Sequence, residues 1–596
     1  MTSGPAEHNA DFLLIYPCNP YIMKPYVARS IRFVPGHAIS TRCLVCVATS
    51  TQWVMRNAVF AVLLFVGITL PVHASANAGS TADDAITGSV SVDSENIRSL
   101  LVLHTNDIHD HIRAGNNGVG GLPFVSGFVR SVRAERDDVL VMDAGDVSEK
   151  GELVARKIRG TTSSKLQRYP AEERDRHTPV IDSDITFESM ARVGYDVWAP
   201  GNHDHDFGIE ALYRFSELAE MDIVCINLLK EDGKTEFPPS VVYEVNGIRV
   251  GVIGAIEPRN VLSLDMEQTA LTMGEEARRL KTETDIIFGL VHISVNNSIK
   301  IARKAPDIDV IISGHSHQKT SEPVVVPETG ALIVQAGEYA KNVGWLELQV
   351  DITNRGIASY EYRLVEMNHQ KIAPDLEMME WVRQKEMELA PEAFRYVSWS
   401  PRTVSRIEVG ILAAEALRRA TNSDIALHKT AHIVRSNIPP GIHDVNAVYR
   451  TGGERGEFLV EVELTGTEIN DYIQGLPFRN WLPTNWSGFY GTFDGMIFQS
   501  DLDPDRRYTV VMPEREWRQR FVRLFRRVEN EPDEIPGITA IDRTLDVRDI
   551  DTKWIEAVTF LLEEFRRDNV TLLEGINRIA EATGQTDMLE MFRRYD

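Results

Sequence analysis

Histidine, aspartate and asparagine recur at the ends of short apolar runs in this sequence. They are Asp107 and His109 in "NDIHDH", Asp146 in "DAGD", Asn202 and His203 in "GNHDHDFG", His292 in "GLVHIS", and His315 and His317 in "SGHSH". Imidazole and carboxylate groups together suit Zn²⁺, Mn²⁺ and iron. The D-x-H and H-x-H spacings direct both side chains of a pair to one side of a tight turn. The set exceeds what one tetrahedral zinc ion needs, so it predicts two ions roughly 3.5–4 Å apart with one bridging carboxylate.

The apolar runs before these side chains have the length and the β-branched composition of buried strands. They read "SLLVLH", "DVLVMDA", "YDVWAP", "DIVCIN", "RVGVIGAI", "DIIFGLVHI" and "DVIISG", and helix-like stretches separate several of them. This alternation predicts an α/β architecture up to about residue 365. Because ligand crevices of open α/β sheets lie at the carboxyl ends of strands, we expect side chains spread from residue 107 to residue 317 to converge.

In this order, the motifs resemble those of the calcineurin-like metallophosphoesterase superfamily, and more narrowly the secreted 5′-nucleotidase/UDP-sugar hydrolase family. The matching segments are "HTNDIHDH", Gly145-Asp146, "GNHDHDFG", "GLVHIS" and "SGHSH", within about residues 98–320. The resemblance implies a two-layered β-sheet core flanked by helices (α-β-β-α) and a smaller α+β C-terminal domain. It implies two sets of metal ligands and one bridge: Asp107, His109 and His317; Asn202, His292 and His315; and the shared Asp146.

Two further residues of "GNHDHDFG" have implied roles other than metal binding. The resemblance implies that His203 faces the substrate phosphate, and that Asp206 orients this imidazole and keeps it cationic. His205 stands where relatives carry an aromatic residue, and we assign it no role. We expect His104 and His111 to be packing or solvent residues, and Asp110, Asp143 and Glu149 to be caps or surface charges.

The implied activity is hydrolysis of phosphoesters, with nucleotides or related small molecules as substrates. Two divalent cations, whether Zn, Mn or Fe, would neutralise the phosphoryl oxygens and activate a water molecule. They would also attract an anionic substrate to a protein whose formal net charge is −24, a charge that argues against nucleic-acid polymers as partners. The alternatives are hydrolysis of a non-nucleotide ester, as in the related thiosulfohydrolases, and a binding protein with a relic site.

The C-terminal half resembles the family's nucleoside-binding domain less closely. "VELTGTEINDYI" matches its strand–helix junction, and Arg435 in "IVRSNIPPG" falls on the family's substrate-facing arginine. The family's Pro-Phe-Gly-Asn and Gly-Gly-Asp-Gly-aromatic motifs are absent, and "MPEREWRQRF" stands near the second place. Tyr449, Phe458 and Trp517 could stack a base, although buried core is the expected place of each.

The pattern along the chain predicts seven segments. Residues 1–54 are an over-long gene start, 55–76 a signal peptide and 77–97 a linker; 98–365 form the metallophosphoesterase domain, 366–400 a helical connector, 401–545 the C-terminal domain and 546–596 a helical tail. The signal peptide is indicated by Arg56, the apolar run from Ala58 to Val72 and the A-x-A site before Asn77. Export to the periplasm or medium follows from it; an uncleaved membrane anchor is the alternative. Residues 149–185 are expected to be an inserted loop or lid.

Overall fold

The fold is taken from a computed structural model of the chain. The structure describes residues 96–596 except 116–117, 150, 160–181, 259–262, 431–433, 453–457, 475–483, 488–501, 531–540, 542, 585 and 596. The predicted gene start and signal peptide, and all but the last two residues of the linker, lie outside the described residues. The described residues belong to one compact unit, and among them no helix combines the length and apolarity needed to cross a membrane.

Two six-stranded sheets form the first half of the described chain. In the first sheet the strand order is β12-β11-β1-β2-β3-β4, with β1 to β4 parallel, β11 antiparallel to its neighbour β1, and β12 antiparallel to β11. Its strands are β1 (Ile97–Thr105), β2 (Val139–Asp143), β3 (Val197–Trp198), β4 (Asp222–Ile223), β11 (Asn342–Asp351) and β12 (Gly356–Glu366).

The second sheet has the order β5-β6-β7-β8-β10-β9, with β6, β7, β8 and β10 parallel and an antiparallel strand at each edge. Its strands are β5 (Ser240–Val245), β6 (Ile248–Ile256), β7 (Ile286–His292), β8 (Val310–Ser313), β9 (Val324–Val325) and β10 (Leu332–Val334).

The sheets pack face to face because alternate residues of each strand point to opposite sides. Leu100 and Val102 of β1 join a buried cluster with Phe288 and Leu290 of β7 between the sheets, whereas Leu101 and Leu103 face the outer helices. Helices α1 (Leu122–Arg133), α2 (Leu153–Arg159), α3 (Ile185–Val193), α4 (Asn202–His205) and α5 (Ile209–Ala219) accompany the first sheet, and α6 (Met266–Leu280) and α7 (Val295–Lys304) pack on the second. The predicted α-β-β-α core is confirmed.

The C-terminal half is built on a five-stranded sheet of order β17-β14-β18-β16-β19 and a two-stranded pair, β13 with β15. The strands are β13 (Tyr396–Ser400), β14 (Ile425–Lys429), β15 (Gly441–Asp444), β16 (Leu459–Thr465), β17 (Thr484–Ser487), β18 (Arg507–Pro513) and β19 (Val547–Ile550). The helices are α8 (Leu376–Leu389), a 3₁₀ turn (Pro391–Phe394), α9 (Arg406–Thr421), α10 (Val445–Tyr449), α11 (Gly466–Gln474), α12 (Glu514–Glu516), a π-helical segment (Trp517–Phe521), α13 (Val522–Asn530), α14 (Trp554–Arg567), α15 (Leu572–Ala582) and α16 (Thr586–Tyr595).

Several local predictions agree with these elements. The apolar stripe of the predicted helical tail packs in one buried cluster with α9, through residues such as Trp554, Leu561 and Ile576, so it is core and not a partner groove. The predicted connector contains α8 but ends in strand β13. The predicted lid begins with helix α2, and its residues 160–181 lie outside the described residues. The domain boundaries stay a prediction.

Candidate metal centre

The loops after β1 and β2 lie side by side at the carboxyl end of the first sheet. The backbone N–H of Asp107 donates to the carbonyl of Gly145 at 2.8 Å, and that of His109 to the carbonyl of Asp146 at 2.9 Å. The N–H of Ala144 donates back to Thr105 at 3.0 Å. This backbone ladder extends the pairing of the two strands into the loops and fixes the predicted ligands relative to each other.

Five of the predicted ligands have left-handed backbone conformations, which non-glycine residues rarely adopt. Their φ angles are 52° at Asp107, 50° at His109, 54° at Asp146, 71° at His315 and 56° at His317. Such residues concentrate at functional sites, where the surrounding structure holds an unfavourable backbone to aim a side chain.

Asp107, His109 and His317 form the first cluster, with their ligand atoms within 4.8 Å of one another. His109 Nδ1 donates to the Ser148 carbonyl at 3.2 Å, and His317 Nδ1 donates to Glu338 Oε2 at 2.5 Å. The Nε2 lone pairs of both rings therefore face inward, 3.3 Å apart. Lone pairs that point at each other repel, so a cation between them fits this geometry.

Asp146, His292 and His315 form the second cluster on the same distance criterion. His292 Nδ1 donates to the Ala144 carbonyl at 2.8 Å, which leaves its Nε2 lone pair 3.1 Å from Asp146 Oδ2. The same Oδ2 lies 3.7 Å from His109 Nε2 of the first cluster. One oxygen of Asp146 therefore reaches both clusters, which suits a bridging carboxylate.

Asn202 follows Gly201 at the start of α4. Among the described residues, its buried Oδ1 has no hydrogen-bond partner. An unpaired amide oxygen in a polar site is costly unless a cation or water satisfies it. A side chain at Gly201 would put its Cβ 2.1 Å from Asp146 Oδ1, so only glycine lets this loop approach Asp146.

The clusters attract positive charge even as protein alone. Burial lowers the pKa of His292, but Asp146 and Asp107 outweigh it and raise that pKa to about 9. Burial likewise opposes the pKa rise of His317, which Asp107 and Glu338 carry to about 9. Divalent cations compete for the same lone pairs. The donor set of imidazoles, carboxylates and one amide oxygen fits Zn²⁺, Mn²⁺ or iron.

Comparison with known proteins agrees with this geometry. The sequence profile of the Calcineurin-like phosphoesterase family matches residues 100–319, which carry the ligand loops. Residues 100–319 therefore form a calcineurin-like phosphoesterase domain. The predicted class of enzyme, a metal-dependent phosphoester hydrolase, is confirmed.

The proteins that this chain resembles in sequence include 5′-nucleotidases, which form one family within the calcineurin-like metallophosphoesterase superfamily. The chain is 24% identical over 471 residues to the 5′-nucleotidase of Vibrio parahaemolyticus, an alignment covering 68% of this chain and 78% of that protein. It is 25% identical over 474 residues to the endonuclease YhcR of Bacillus subtilis, covering 69% of this chain but only 36% of that longer protein.

Solved structures share the fold. The 5′-nucleotidase precursor of Thermus thermophilus superposes with a TM-score of 0.58 at 23% identity, covering 78% of this chain and 97% of that one. The sulfate thiohydrolase SoxB of the same organism gives a TM-score of 0.53 at 15% identity, covering 78% and 94%. Both likenesses extend beyond the metallophosphoesterase core and into the C-terminal half.

His203 is held beside the clusters by three carboxylates. Its N–H donates to Asp146 Oδ1 at 2.8 Å, and its ring Nδ1 lies 3.1 Å from Asp206 Oδ2. Nδ1 also forms an ion pair with Glu149, which the sequence indicated only as a cap or surface charge. That expectation was wrong, because the Glu149 carboxylate binds the ring of His203. Burial opposes the shift, yet Asp206, Glu149 and Asp146 raise the pKa of His203 to about 10.

Asp110 and Asp143 are also buried and not surface charges. Asp110 pairs with the buried Arg159, which in turn binds Asp184. Asp143 accepts hydrogen bonds from Thr105 Oγ1 and from the Gly145 N–H, at 2.6 and 2.8 Å. Both carboxylates therefore bind internal partners, although a cap or a surface charge was expected at each position.

Four residues near the centre make contacts with the predicted site that the motifs did not indicate. Asp204 accepts N–H groups of Gly201 and Ser148, both at 2.8 Å, and so ties the loops after β2 and β3 together. Glu338 holds His317, and Tyr339 lies with its ring centre 5.9 Å from the rings of both His109 and His317. Asn106 Nδ2 donates to Asp107 Oδ2 at 2.7 Å. Asn106 could have been found from its position next to the predicted ligand Asp107, whereas no local feature of the sequence marks Glu338.

His104, His111 and His205 are not among the clustered ligands. His104 is buried beside Tyr362, and His111 stacks on Tyr339 with ring centres 3.9 Å apart, which agrees with a packing role for both. Burial lowers the pKa of each to about 3. His205 lines a cavity of about 50 Å³ beside Asn202 and Asp206.

Arg435 reaches this centre from the C-terminal half. Its Nη1 lies 3.5 Å from the hydroxyl of Tyr339, the residue stacked beside the first cluster. Two of the three candidate stacking residues are packed as expected: Tyr449 is buried in the cluster around α9, and Trp517 stacks on Phe521. Phe458 is partly buried.

Proposed function

We propose that this metallophosphoesterase is an exported dinuclear hydrolase that releases phosphate from nucleotides or related small phosphoesters. One observation carries the proposal: two ligand clusters share the Oδ2 oxygen of Asp146, which is 3.1 Å from His292 Nε2 and 3.7 Å from His109 Nε2. The proposed first ion takes Asp107, His109 and His317; the second takes Asn202, His292 and His315.

When bound, two divalent ions neutralise phosphoryl oxygens and lower the pKa of an attacking water. The chain's own residues orient the metal ligands and, through His203, supply further positive charge. His317 and His109 are held as ligands through their Nδ1 hydrogen bonds, which fix the tautomer with Nε2 toward the ion. Water provides the new oxygen–phosphorus bond, the bond from phosphorus to the leaving oxygen breaks, and one proton ends on the released alcohol.

His203 is the proposed residue facing the phosphoryl group. Glu149 and Asp206 both bind its Nδ1, so Nε2 is the nitrogen assigned to the substrate. Its raised pKa, about 10, keeps the ring cationic near neutral pH, which suits both a negative phosphoryl oxygen and proton donation to the leaving oxygen. Asp206 and Glu149 are positioning residues for this ring.

The experiment is a hydrolysis screen of the purified chain with Mn²⁺ or Zn²⁺ added. It covers AMP, UDP-glucose, cyclic 2′,3′-AMP and simple phosphomonoesters, alongside elemental analysis of the protein. We expect two transition ions per chain and phosphate release from at least one class. Retained metal without any phosphate release would favour a non-phosphate ester, and a protein that binds no metal would support a relic site.

His203→Ala tests the assigned role directly. We expect a fall in kcat of about 10²–10⁴-fold, the usual contribution of a positioned acid–base group, with metal content unchanged. His369→Ala is the matched control, because His369 is exposed, bonds the Gly118 carbonyl and belongs to neither ligand cluster. Loss of metal from the His203 variant would contradict the role and make His203 a ligand.

Export is proposed from the apolar run and the A-x-A site alone. N-terminal sequencing of protein recovered from the periplasm or medium should begin at Asn77. Protein that stays in the membrane fraction with an intact N-terminus would favour an uncleaved anchor.

A further inference from the structure

Arg159, the last residue of α2, is an arginine whose side chain is buried and holds two carboxylates. Its Nη1 donates to Asp110 Oδ2 at 2.6 Å. Its Nε and Nη2 donate to the two carboxylate oxygens of Asp184, at 2.5 and 2.8 Å. All three side chains are buried, so solvent does not compete for these hydrogen bonds. The forked guanidinium group therefore fixes the positions of two carboxylates that belong to different segments.

Asp110 connects this arginine to the first ligand cluster. It directly follows His109, and both residues have a left-handed backbone, with φ angles of 59° and 50°. The N–H of Asp110 donates to the Val147 carbonyl at 2.9 Å, which continues the backbone ladder between the two ligand loops. Thr186 Oγ1 donates to Asp110 Oδ1 at 2.7 Å. Arg159 and Thr186 together thus hold both carboxylate oxygens of the residue after His109, where the surrounding structure must maintain a strained backbone.

The hydrogen bonds around Arg159 form a closed ring of four residues. Asp184 caps α3, because its Oδ1 accepts the backbone N–H of Thr186 at 3.0 Å. Thr186 in turn binds Asp110, so each of the four residues binds two others. Arg159 lies in the first part of residues 149–185, which the sequence indicated as an inserted loop or lid, and Asp184 lies at their end. Both described parts of this segment are therefore fastened to the loop after β1.

A buried network of charges is a weak source of stability. Desolvation of the charges offsets much of their attraction, and well-packed apolar residues of similar volume often stabilise a protein as well or better. Apolar surroundings are already present here, since the guanidinium carbon lies over the rings of Phe187, Phe207 and Phe215, between 5.4 and 5.7 Å from their centres. The hydrogen bonds add a defined geometry, which favours a positioning role for Arg159.

Given the proposed dinuclear centre, on which this inference rests, we propose that Arg159 is a positioning residue for the first metal ion. It acts through Asp110, which holds the turn of Asp107 and His109 in the conformation that directs both side chains to the ion. The ligands His292 and His315 come from the second sheet, whereas the ring binds segments that accompany the first sheet. Loss of the ring should therefore weaken the first ion much more than the second.

The test measures the affinity of each ion separately. A His292→Ala background keeps all the proposed ligands of the first ion, and a His317→Ala background keeps those of the second. Competition for Zn²⁺ with a chromophoric chelator gives the dissociation constant in each background. Arg159→Lys keeps the charge but loses the forked geometry. Because groups that orient metal ligands contribute about 10–100-fold to affinity, we expect it to raise the first dissociation constant about tenfold and to leave the second within about threefold.

Two further variants separate positioning from general stability. Thr186→Val removes one hydrogen bond to Asp110 and keeps every charge, so we expect a smaller rise of the first dissociation constant, about threefold. Arg136→Lys is the matched control, because Arg136 also binds two carboxylates, those of Asp138 and Glu347. It precedes β2, at the end of the strand opposite the ligand loop, and should leave both dissociation constants unchanged.

The outcomes distinguish this inference from the proposed function. If Arg159→Lys leaves the first ion unaffected, or weakens both ions equally, the inference is overturned, and a wild type that releases phosphate keeps the proposed function. If Arg159→Lys weakens only the first ion in a protein that hydrolyses no phosphoester, the inference stands and the proposed function fails. An effect of Arg136→Lys equal to that of Arg159→Lys would also overturn the inference. Should Arg159→Lys fail to fold, Thr186→Val decides by the same criteria.

Discussion

Asp143 is a buried acid whose ionisation the surrounding structure disfavours. Its carboxylate accepts from Thr105 Oγ1, which also bonds the hydroxyl of Tyr195 at 2.7 Å. Burial raises the pKa of Asp143 to about 7, and the nearby Asp204 and Asp107 act in the same direction. In the unfolded chain this group ionises near pH 3.8. Between these values the folded state binds the extra proton, so this group's contribution to stability falls as the pH rises.

Asp143→Asn should therefore stabilise the protein in a pH-dependent way. An amide keeps the hydrogen-bonding shape without the buried charge, and Thr105 can rotate its hydroxyl toward Tyr195. We expect little change in the free energy of unfolding near pH 4. Above pH 7 we expect a gain of about 1–3 kcal/mol, which is less than the free energy that corresponds to the whole pKa shift of Asp143. Urea unfolding from pH 4 to 9 measures it. A difference that is the same at every pH would show that shape and not charge decides the effect.

At the scale of elements, the centre depends on loops that pack backbone against backbone. Gly201, between β3 and α4, has a φ of −96°, which any residue adopts. Glycine is therefore required here by the lack of space for a side chain and not by the backbone conformation. The Cβ of an alanine would meet Asp146 N and Oδ1, both at 2.1 Å. These loops leave no room for a methyl group.

Gly201→Ala should displace Asp146 and weaken metal binding. Overpacking of this kind costs about 1–3 kcal/mol, which here corresponds to roughly a tenfold or greater rise in the metal dissociation constant. Competition with a chromophoric chelator measures it. Gly356→Ala is the control, because nothing lies within 4 Å of its added Cβ and its φ is not positive. Equal metal affinity in both variants would mean that the loops move to accommodate the methyl group without displacing Asp146.

The same loops explain which parts of the centre were predictable from the sequence. Asp107 and Asp146 come just after buried strands and His292 ends one, so local apolar runs and the parallel-sheet rule bring them to one edge. Glu149 lacks such a signal, since its partner His203 comes from another segment and the chain around it is polar. Edge strands such as β12 were also not predicted, because most of their side chains are exposed and they form no apolar run.

At the scale of the whole molecule, an ion pair between a buried glutamate and a largely buried arginine joins the metal-binding half to the C-terminal half. Glu152, just before α2, pairs with Arg450 just after α10, and its Oε2 lies 3.0 Å from Arg450 Nε. Asn446 also bonds Glu152, and its Oδ1 accepts the N–H of Leu153 at 3.0 Å. Burial lowers the pKa of Arg450 to about 10, and Arg113 adds to this effect. A partnerless charge at this junction would be expensive.

A double-mutant cycle on Glu152→Gln and Arg450→Met should therefore give a large coupling energy. Removing one partner of a buried pair costs about 3–5 kcal/mol, because the other charge stays buried. We expect the double variant to be less destabilised than the sum of the single variants by about 2 kcal/mol or more. The control cycle uses Arg395 and Glu563, a pair with 55% and 25% side-chain exposure. Exposed pairs contribute about 0–1 kcal/mol, so its coupling should be small. Similar coupling in the two cycles would mean that water reaches Glu152 and Arg450, and that apolar packing alone holds the halves together.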